Sequence, residues 1–201
     1  MRVDHVIFGV ADLDLAVERF AERYQLAAQA GGEHPQLGTR NCLVPVGDGQ
    51  YVELMAVADP ASSHPLPRFL SAAIVTGDRP VALCIAPDDL DATAGRLALA
   101  VVDGERRTPA GAVVRWRMAG LESALGPERL PFFIDWGGDG PGLDPALNGD
   151  CGGIAWVELG GDPGSARRWL GDEAPPLRFG DGGPGPLAVG IRRGGEILVV
   201  T

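Results

Sequence analysis

The chain has 201 residues, enough for one ordinary domain or two small ones with a buried core. Its formal net charge of −10 is the opposite of the basic stripe that a phosphate backbone requires, so nucleic acid is not expected as a partner. Neither a signal peptide nor an apolar run of membrane-spanning length is visible, so the sequence predicts a cytoplasmic protein without a membrane partner.

A strand, an aspartate and a helix follow one another at three places in the chain. Asp12, Asp89 and Asp162 each follow a strand-like apolar run and precede a helical one. A side-chain oxygen at such a position can accept hydrogen bonds from the free N–H groups of a helix start. The intervals between the three aspartates are 89 − 12 = 77 and 162 − 89 = 73 residues. A repeat of this kind indicates a duplicated supersecondary unit.

The first copy predicts a βαβββ module over residues 1–58. Phe20 and Tyr24 belong to an apolar stripe at helical spacing, which indicates a helix with one buried face. Asp48 and Gly49 join two apolar runs, and this pair is typical of a β-hairpin because its turn needs positive φ. The module therefore reads as a strand, a helix and three strands.

Two further βαβββ modules are predicted along the chain. A linker over residues 59–79 leads to the second module, residues 80–137. A loop rich in glycine and proline over residues 138–151 leads to the third module, residues 152–201. We expect the three modules to belong to one domain of the α+β class, whose sheet has one face covered by helices.

Side-chain alternation along the strands brings two polar residues to one surface, because successive residues of a strand point to opposite faces of its sheet. The helix-covered face is expected to carry Val6, Phe8, Val10, Val52, Leu54 and Ala56. The opposite face is expected to carry Val3, His5, Ile7, Tyr51, Glu53 and Met55. His5 and Glu53 are therefore predicted to line the same concave surface.

His5 and Glu53 each have two interpretations. A histidine beside a carboxylate suits a divalent metal that acts as a Lewis acid, whereas a histidine among apolar neighbours can also be satisfied within the core. A carboxylate buried in a sheet without a partner costs several kcal/mol. Glu53 is therefore expected either to bind a metal or to form a salt bridge, for which Arg115 and Arg117 are candidates.

Other polar residues are candidates for binding or proton transfer. His34 lies in a predicted loop and is either a proton-transfer group, since imidazole titrates near neutrality, or a solvated residue. Asp135 is either a metal ligand or general base, or a polar partner within its loop. Arg115 and Arg117 alternate with Trp116 and either clamp a carboxylate or form a solvated pair at a sheet edge.

Several motifs together resemble the glyoxalase-like members of the vicinal oxygen chelate superfamily, which includes glyoxalase, bleomycin-resistance and dioxygenase proteins. These motifs are Asp4-His5-Val6-Ile7, Gly31-Gly32-Glu33-His34-Pro35, Gly38-Thr39-Arg40-Asn41, Tyr51-Val52-Glu53-Leu54, Arg115-Trp116-Arg117 and Pro131-Phe132-Phe133-Ile134-Asp135-Trp136. In that superfamily, βαβββ modules pair into a cup-shaped mixed sheet around a metal or small-ligand site. The resemblance implies the same α+β cup here, with its helices on the outer face.

The resemblance also implies the ligands of a metal site. His5 and Glu53 match the superfamily's usual first pair, which binds a divalent ion such as Zn, Mn, Ni, Fe or Mg. A second pair usually comes from another module, and the second module offers Ala82 and, with a shift of about one position, Asp135. The expected substrate-binding residues are Arg40, Asn41, Tyr51, Arg115, Arg117 and Trp136.

The function implied is that of a divalent-metal-dependent isomerase, lyase or dioxygenase acting on a small oxygen-rich substrate, with Asp135 or His34 moving a proton. Two alternatives stay open: a protein that sequesters a small molecule, such as a drug, without turnover, and a degenerate structural member. An odd number of modules further predicts either that the third completes a cup with the second, or that its free edge is covered by a second copy in a homodimer.

Overall fold

The computed structural model describes residues 1–138, 140–171 and 174–201, so parts of the predicted loop over 138–151 and of the predicted third module lie outside the described residues. Within these ranges the chain forms twelve strands, five α-helices and one 3-10 helix. The strands are β1 (Arg2–Gly9), β2 (Gln29–His34), β3 (Thr39–Gly47), β4 (Gln50–Val57), β5 (Arg79–Ala86), β6 (Val101–Arg107), β7 (Val113–Ala119), β8 (Phe132–Asp135), β9 (Cys151–Gly160), β10 (Leu177–Phe179), β11 (Gly185–Arg193) and β12 (Glu196–Val200). The α-helices are α1 (Leu13–Tyr24), α2 (Pro65–Ala73), α3 (Leu90–Leu97), α4 (Leu121–Leu125) and α5 (Pro163–Leu170), and the 3-10 helix spans Pro145–Asn148. None of the described helices combines the length and apolarity needed to cross a bilayer.

Strands β1 to β8 form one closed barrel in the order β1-β4-β3-β2-β6-β7-β8-β5. β1 runs parallel to β4 and antiparallel to β5, so the first two modules contribute four strands each to a shared barrel. β2 and β6 close the barrel where Glu33 lies opposite Arg107. The predicted α+β fold with a curved mixed sheet is confirmed.

The three predicted helix caps all form. Asp12 accepts hydrogen bonds from two backbone N–H groups of α1, Asp89 from one of α3, and Asp162 from two of α5. Each cap satisfies donors that have no partner within the helix, and a cap of this kind contributes about 1 kcal/mol. Local sequence therefore fixes where these helices begin.

The third module forms a sheet of its own, in the order β10-β9-β11-β12. Gln50 ties it to the barrel, because its Nε2 donates to the Val3 carbonyl (2.8 Å) while its Oε1 accepts from the Ile154 amide (2.7 Å). Side chains of this sheet also share one hydrophobic core with the outer face of the barrel: Ile154, Val157, Leu159, Val189, Ile191 and Val200. The prediction that the third module completes a cup with the second is wrong, because the first two modules already pair along both edges.

The predicted linker over residues 59–79 contains helix α2. Pro65 occupies the first helical turn, where its missing N–H costs nothing, and His64 Nδ1 accepts from the Leu66 amide (3.2 Å). Leu66 and Leu70 are buried one turn apart. A short helix with an unusual histidine cap carries little of the local signal on which helix prediction depends.

The predicted division of side chains between the two faces holds for most of β1 and β4. Val6, Phe8, Val52 and Leu54 lie in the outer core. Val3 lies there too, and its predicted place on the inner face is wrong. The register between β1 and β5 shifts between Val3 and His5, and the extra residue of this irregularity is Asp4. The shift brings the Asp4 carboxylate beside the His5 ring.

Candidate functional site

Two neighbouring cavities lie within and above the barrel. The smaller, which we call the inner chamber, has a volume of about 50 Å³ and is lined by the polar residues His5, His34, Asn41, Tyr51, Glu53 and Arg106 together with apolar side chains. The larger, which we call the vestibule, has a volume of about 580 Å³, and its polar lining consists of Gln36, Asp103, Glu105, Arg115, Arg117 and Asp135. Four apolar residues line both cavities and so separate them: Leu37, Trp116, Met118 and Trp136.

His5 lies between two buried carboxylates. Its Nδ1 is 2.8 Å from Asp4 Oδ2, and its Nε2 is 3.3 Å from Glu53 Oε2. Trp136 Nε1 donates to the same Asp4 carboxylate at 3.2 Å, and the Tyr51 ring stacks on the imidazole at 4.5 Å. Because a carboxylate accepts hydrogen bonds, Asp4 holds the Nδ1 hydrogen and directs the Nε2 lone pair toward Glu53. The Nε2 and Oε2 atoms therefore face each other as two possible ligand atoms for one cation.

Glu53 is held from its other side by an amide. Asn41 Nδ2 donates to Glu53 Oε1 at 2.6 Å, while Asn41 Oδ1 is buried and accepts no hydrogen bond from the described residues. An unpaired buried acceptor costs about 1–3 kcal/mol. The oxygen lies against Gly31, where any side chain would collide with it. Both carboxylate oxygens of Glu53 are engaged within the inner chamber, and neither Arg115 nor Arg117 forms the alternative salt bridge.

The second module does not repeat the pair of donors. The interval of 89 − 12 = 77 residues between the first two helix caps aligns His5 with Ala82. The same interval aligns Ile7, which lies opposite Glu53, with Cys84, which lies opposite Phe132. Phe132 therefore occupies the position equivalent to Glu53. Asp135 lies three positions beyond Phe132, so the predicted shift of about one position is too small. The donor set offered by the described residues is therefore half of the superfamily's usual four.

Cys84 provides a second grouping around His5. Ligand atoms of Asp4, His5 and Cys84 all lie within 4.8 Å of one another. Burial raises the pKa of the Cys84 thiol well above its usual range, and the nearby Asp4 and Glu53 charges raise it further. Asp4 is already bonded to His5 Nδ1 and Trp136 Nε1, so His5 Nε2 and Glu53 Oε2 are the more open pair for a divalent ion. Their mixed nitrogen and oxygen donors suit the ions predicted from the sequence.

His34 is the last residue of β2 rather than part of a loop, and it is buried. Its Nδ1 lies 3.1 Å from Thr39 Oγ1, and its ring meets the Trp116 ring edge to face. Burial lowers the pKa of His34; Glu53 opposes this effect, and Arg106 and His5 add to it. The imidazole is therefore neutral at physiological pH, and it lines the inner chamber.

Arg106 is a buried cation in the inner chamber, with 4% of its surface exposed. Its guanidinium donates to the carbonyl oxygens of Gly31 and Pro141, the latter at 2.6 Å. Burial lowers the pKa of Arg106, while Tyr51 and Glu53 raise it part of the way back. The ordinary pKa of arginine is so high that the group stays charged.

Arg115, Arg117 and Asp135 line the vestibule, and each of them forms an ion pair. Arg117 donates to Asp91 (3.0 Å) and to Asp135 (3.0 Å), and Arg115 lies 3.5 Å from Glu105. The Gly137 amide and Arg117 hold the pKa of Asp135 below its usual range. Asp135 is therefore an ionised carboxylate in an exposed ion pair and a weak base.

Arg40 is exposed and belongs to neither of the two cavity linings. It alternates with the buried residues Thr39 and Asn41 along β3, which places its side chain on the outer surface of the barrel. The structure thus brings Asn41 and Tyr51 into the inner chamber, places Trp136 between the two cavities, and leaves Arg40 outside both.

Comparison of the sequence with known protein families gives one match. The family model of the glyoxalase-like domain matches residues 3–172. The chain belongs to the glyoxalase-like domain family. This confirms the resemblance inferred from the motifs around His5 and Glu53. No curated protein matches the chain significantly in sequence.

Several solved structures are similar to this chain. A hypothetical protein from Staphylococcus aureus is 18% identical, with 98% of each chain covered and a TM-score of 0.63. Methylmalonyl-CoA epimerase from Mycobacterium tuberculosis is 25% identical over 66% of this chain and 85% of its own, with a TM-score of 0.47. The Streptomyces coelicolor epimerase, in complex with 2-nitronate-propionyl-CoA, is 21% identical over 67% of this chain and 93% of its own, with a TM-score of 0.49.

Two residues of this glyoxalase-like site were missed from the sequence. Asp4 was missed because regular alternation points it away from His5, and only the irregularity in β1 brings it back. Arg106 was missed because no local pattern indicates that strand β6 continues as far as Arg107. The available signal was Gly104, whose missing side chain leaves room for the Trp116 indole on the same face as Arg106.

Replacing His34 with glutamine is expected to flatten the pH dependence of stability. Because burial lowers the pKa of His34 in the folded protein, the unfolded chain, with a pKa near about 6.5, takes up the proton first as the pH falls. The contribution of His34 to stability is therefore fully present above about pH 6.5 and is lost below it. The free energy of unfolding, measured with urea at about pH 7.5 and at about pH 5.5, should fall more between these two pH values for the parent than for H34Q. Equal losses would contradict the buried, neutral imidazole.

Proposed function

We propose that the protein is a divalent-metal-dependent enzyme of isomerase, lyase or dioxygenase type that acts on a small oxygen-rich molecule in the inner chamber. The observation that carries the proposal is the 3.3 Å separation between His5 Nε2 and Glu53 Oε2, both buried and facing each other. Two ligands bound at about 2.1 Å to one ion lie about 3 Å apart, so the pair is spaced for shared coordination.

The chain's own residues would divide the work of such a site. His5 and Glu53 would hold the ion, which when bound would supply Lewis-acid polarisation of a substrate oxygen. Asp4 fixes the orientation of His5, and Asn41 fixes that of Glu53. We assign proton transfer to His34, because it lines the inner chamber, whereas Asp135 lies in the vestibule with its pKa held low.

The test is metal binding by untagged protein. We expect elemental analysis to find a divalent metal, or added Mn, Ni, Zn or Fe to raise the melting temperature. An ion at one hundred times its Kd stabilises by about 2.7 kcal/mol, which corresponds to about 5–11 °C for a chain of this size. The E53Q variant should lose this shift, and the control variant D135N should keep it. Metal-free protein without any thermal shift would overturn the proposal.

A second candidate function is ligand sequestration without turnover. The observation that favours it is the absence of donor groups at Ala82 and Phe132, which leaves an ion with only half of the usual protein ligands. Sequestration predicts that H5A and E53Q bind the ligand as tightly as the parent, whereas the metal-dependent enzyme predicts weaker binding in both.

The proposal includes a cytoplasmic location and a homodimer. The described cysteines are free, as is usual in a reducing compartment.

β12 is an outer strand of the second sheet, and Ile197 and Val199 on it are 45% and 46% exposed. An apolar edge strand of this kind is a ready surface for pairing with a second copy.

A further inference from the structure

The charge of Arg106 is not matched by a carboxylate. Among the residues that the structure describes, Arg106 takes part in no ion pair within 4.0 Å, and its guanidinium donates only to two backbone carbonyls. Glu53 is close enough to influence Arg106, but its two oxygens are directed to Asn41 and His5. Carbonyl oxygens satisfy N–H donors without neutralising the positive charge.

A buried charge without a counter-ion is costly, by several kcal/mol in real proteins. Arginine cannot relieve this cost by losing its proton. Of the other titratable groups that line the inner chamber, His34 is neutral, and the Glu53 oxygens point to Asn41 and His5 and form no ion pair with the guanidinium. A bound anion would neutralise the guanidinium, and the planar donor fork of arginine matches a carboxylate.

The size of the inner chamber limits what can enter it. Its volume of about 50 Å³ holds roughly three or four water-sized groups, which is the size of a carboxylate and the carbon that bears it. The remainder of a larger ligand must extend past Trp116 and Trp136, whose ring centroids are 5.4 Å apart, into the vestibule of about 580 Å³. Aromatic rings on this path favour a flat or apolar middle part of the ligand.

We propose that the inner chamber binds the carboxylate of a small monoanion, with Arg106 as its counter-ion, while the apolar remainder of the molecule lies between the two tryptophans and in the vestibule. Small monoanionic carboxylates would then be the substrate class of the proposed enzyme. Turnover of such a substrate rests on the proposed function, whereas its binding to Arg106 requires no metal. The exposed arginines Arg115 and Arg117, which already face carboxylates, are not the anchor.

The test compares two probes of the same shape, 3-phenylpropionate and the uncharged 3-phenylpropionamide, with chelator-treated protein. Calorimetry and tryptophan fluorescence should show millimolar or tighter binding of the acid, and binding of the amide at least about tenfold weaker, which is 1.4 kcal/mol. R106Q should lose about tenfold or more in affinity for the acid, and the control R40Q, whose side chain lies outside both cavities, should stay within about twofold. Equal binding of acid and amide, no binding of the acid, or unchanged binding by R106Q would overturn the inference.

A further variant guards against a folding defect, because Arg106 also contacts the Gly31 and Pro141 carbonyls. The seventeen basic residues of the chain are all arginine, so R106K introduces the sole lysine amine. After reductive methylation with carbon-13 formaldehyde, the signal of this amine should shift with the acid and not with the amide; no shift with the acid would overturn the inference. If neither variant folds, the comparison of acid and amide in the parent protein decides.

The outcome is independent of the metal test. If the acid binds to the metal-free protein and the metal test finds no bound ion, the Arg106 site is supported and the proposed metalloenzyme is overturned. A metal bound by His5 and Glu53 without preference for the acid would do the reverse.

Discussion

Replacing His5 with alanine is expected to lower the free energy of unfolding by about 3–5 kcal/mol, the cost of removing one partner from a buried charge cluster. The imidazole lies between Asp4 at 2.8 Å and Glu53 at 3.3 Å, and both carboxylates are buried. Without it, Asp4 keeps its bond from Trp136 and Glu53 keeps its bond from Asn41, but the group that joins them is gone. The melting temperature should fall by about 6–20 °C.

The matched control for H5A is H64A, which removes a histidine that caps helix α2. Loss of an N-cap costs about 1 kcal/mol, so urea unfolding should separate the two variants clearly. Both are measured without added metal, so that the result reports the cluster and not an ion. If H5A were no less stable than H64A, the two carboxylates would not depend on His5, and the account of the site as one coupled group would be wrong.

Replacing Gly32 with alanine is expected to open the barrel between β2 and β6. Gly32 has φ +142°, and a Cβ atom there would lie 2.0 Å from the Arg107 carbonyl oxygen. That backbone belongs to the place where the barrel closes, with Glu33 opposite Arg107. A side chain at a φ reserved for glycine costs about 1–3 kcal/mol by itself, and relief of the clash requires the strands to separate.

The control for G32A is G111A, in the turn between β6 and β7. Gly111 also has positive φ, +85°, but a Cβ atom there meets no other atom within 4 Å, so this variant carries the backbone strain without the clash. Hydrogen exchange should become faster at the amides of β2 and β6 in G32A, and stay close to the parent in G111A. Similar exchange in the two variants would show that the barrel does not depend on close approach at Gly32.

The inner chamber depends on this closure. Arg106 lies on β6 next to the closing residue Arg107, and its guanidinium donates to Gly31 on β2. Opening the barrel at Gly32 would therefore let water reach the guanidinium and remove the reason for a bound counter-ion. G32A should thus also weaken binding of a carboxylate probe, while G111A should not.

Features that depend on neighbouring residues could be predicted from the sequence. The caps at Asp12, Asp89 and Asp162 are local, because each aspartate bonds to amides two or three residues further on. The shared face of His5 and Glu53 is nearly local, because it follows from alternation along two strands. The motifs spread along the chain were together sufficient to recognise the family, which the match over residues 3–172 confirms.

Features that depend on register between distant strands could not be predicted. Asp4 reaches His5 only because β1 slips against β5 at that point. The position equivalent to Glu53 is Phe132, which is visible only once β8 is aligned with β5. Helix α2 was read as linker because its cap is a histidine and its buried stripe is short.

The sequence by itself determined the βαβββ units, their helix starts and the inward pair of His5 and Glu53, because hydrogen bonds within a few residues and the period of two along a strand set all three. Tertiary structure alone decided that two modules close a barrel, that the third lies outside it as a separate sheet, and that Arg106 enters the inner chamber. These outcomes depend on pairing between residues such as Glu33 and Arg107, which are 107 − 33 = 74 positions apart. Such pairing is selected by the burial of whole surfaces, and no short stretch of sequence encodes it.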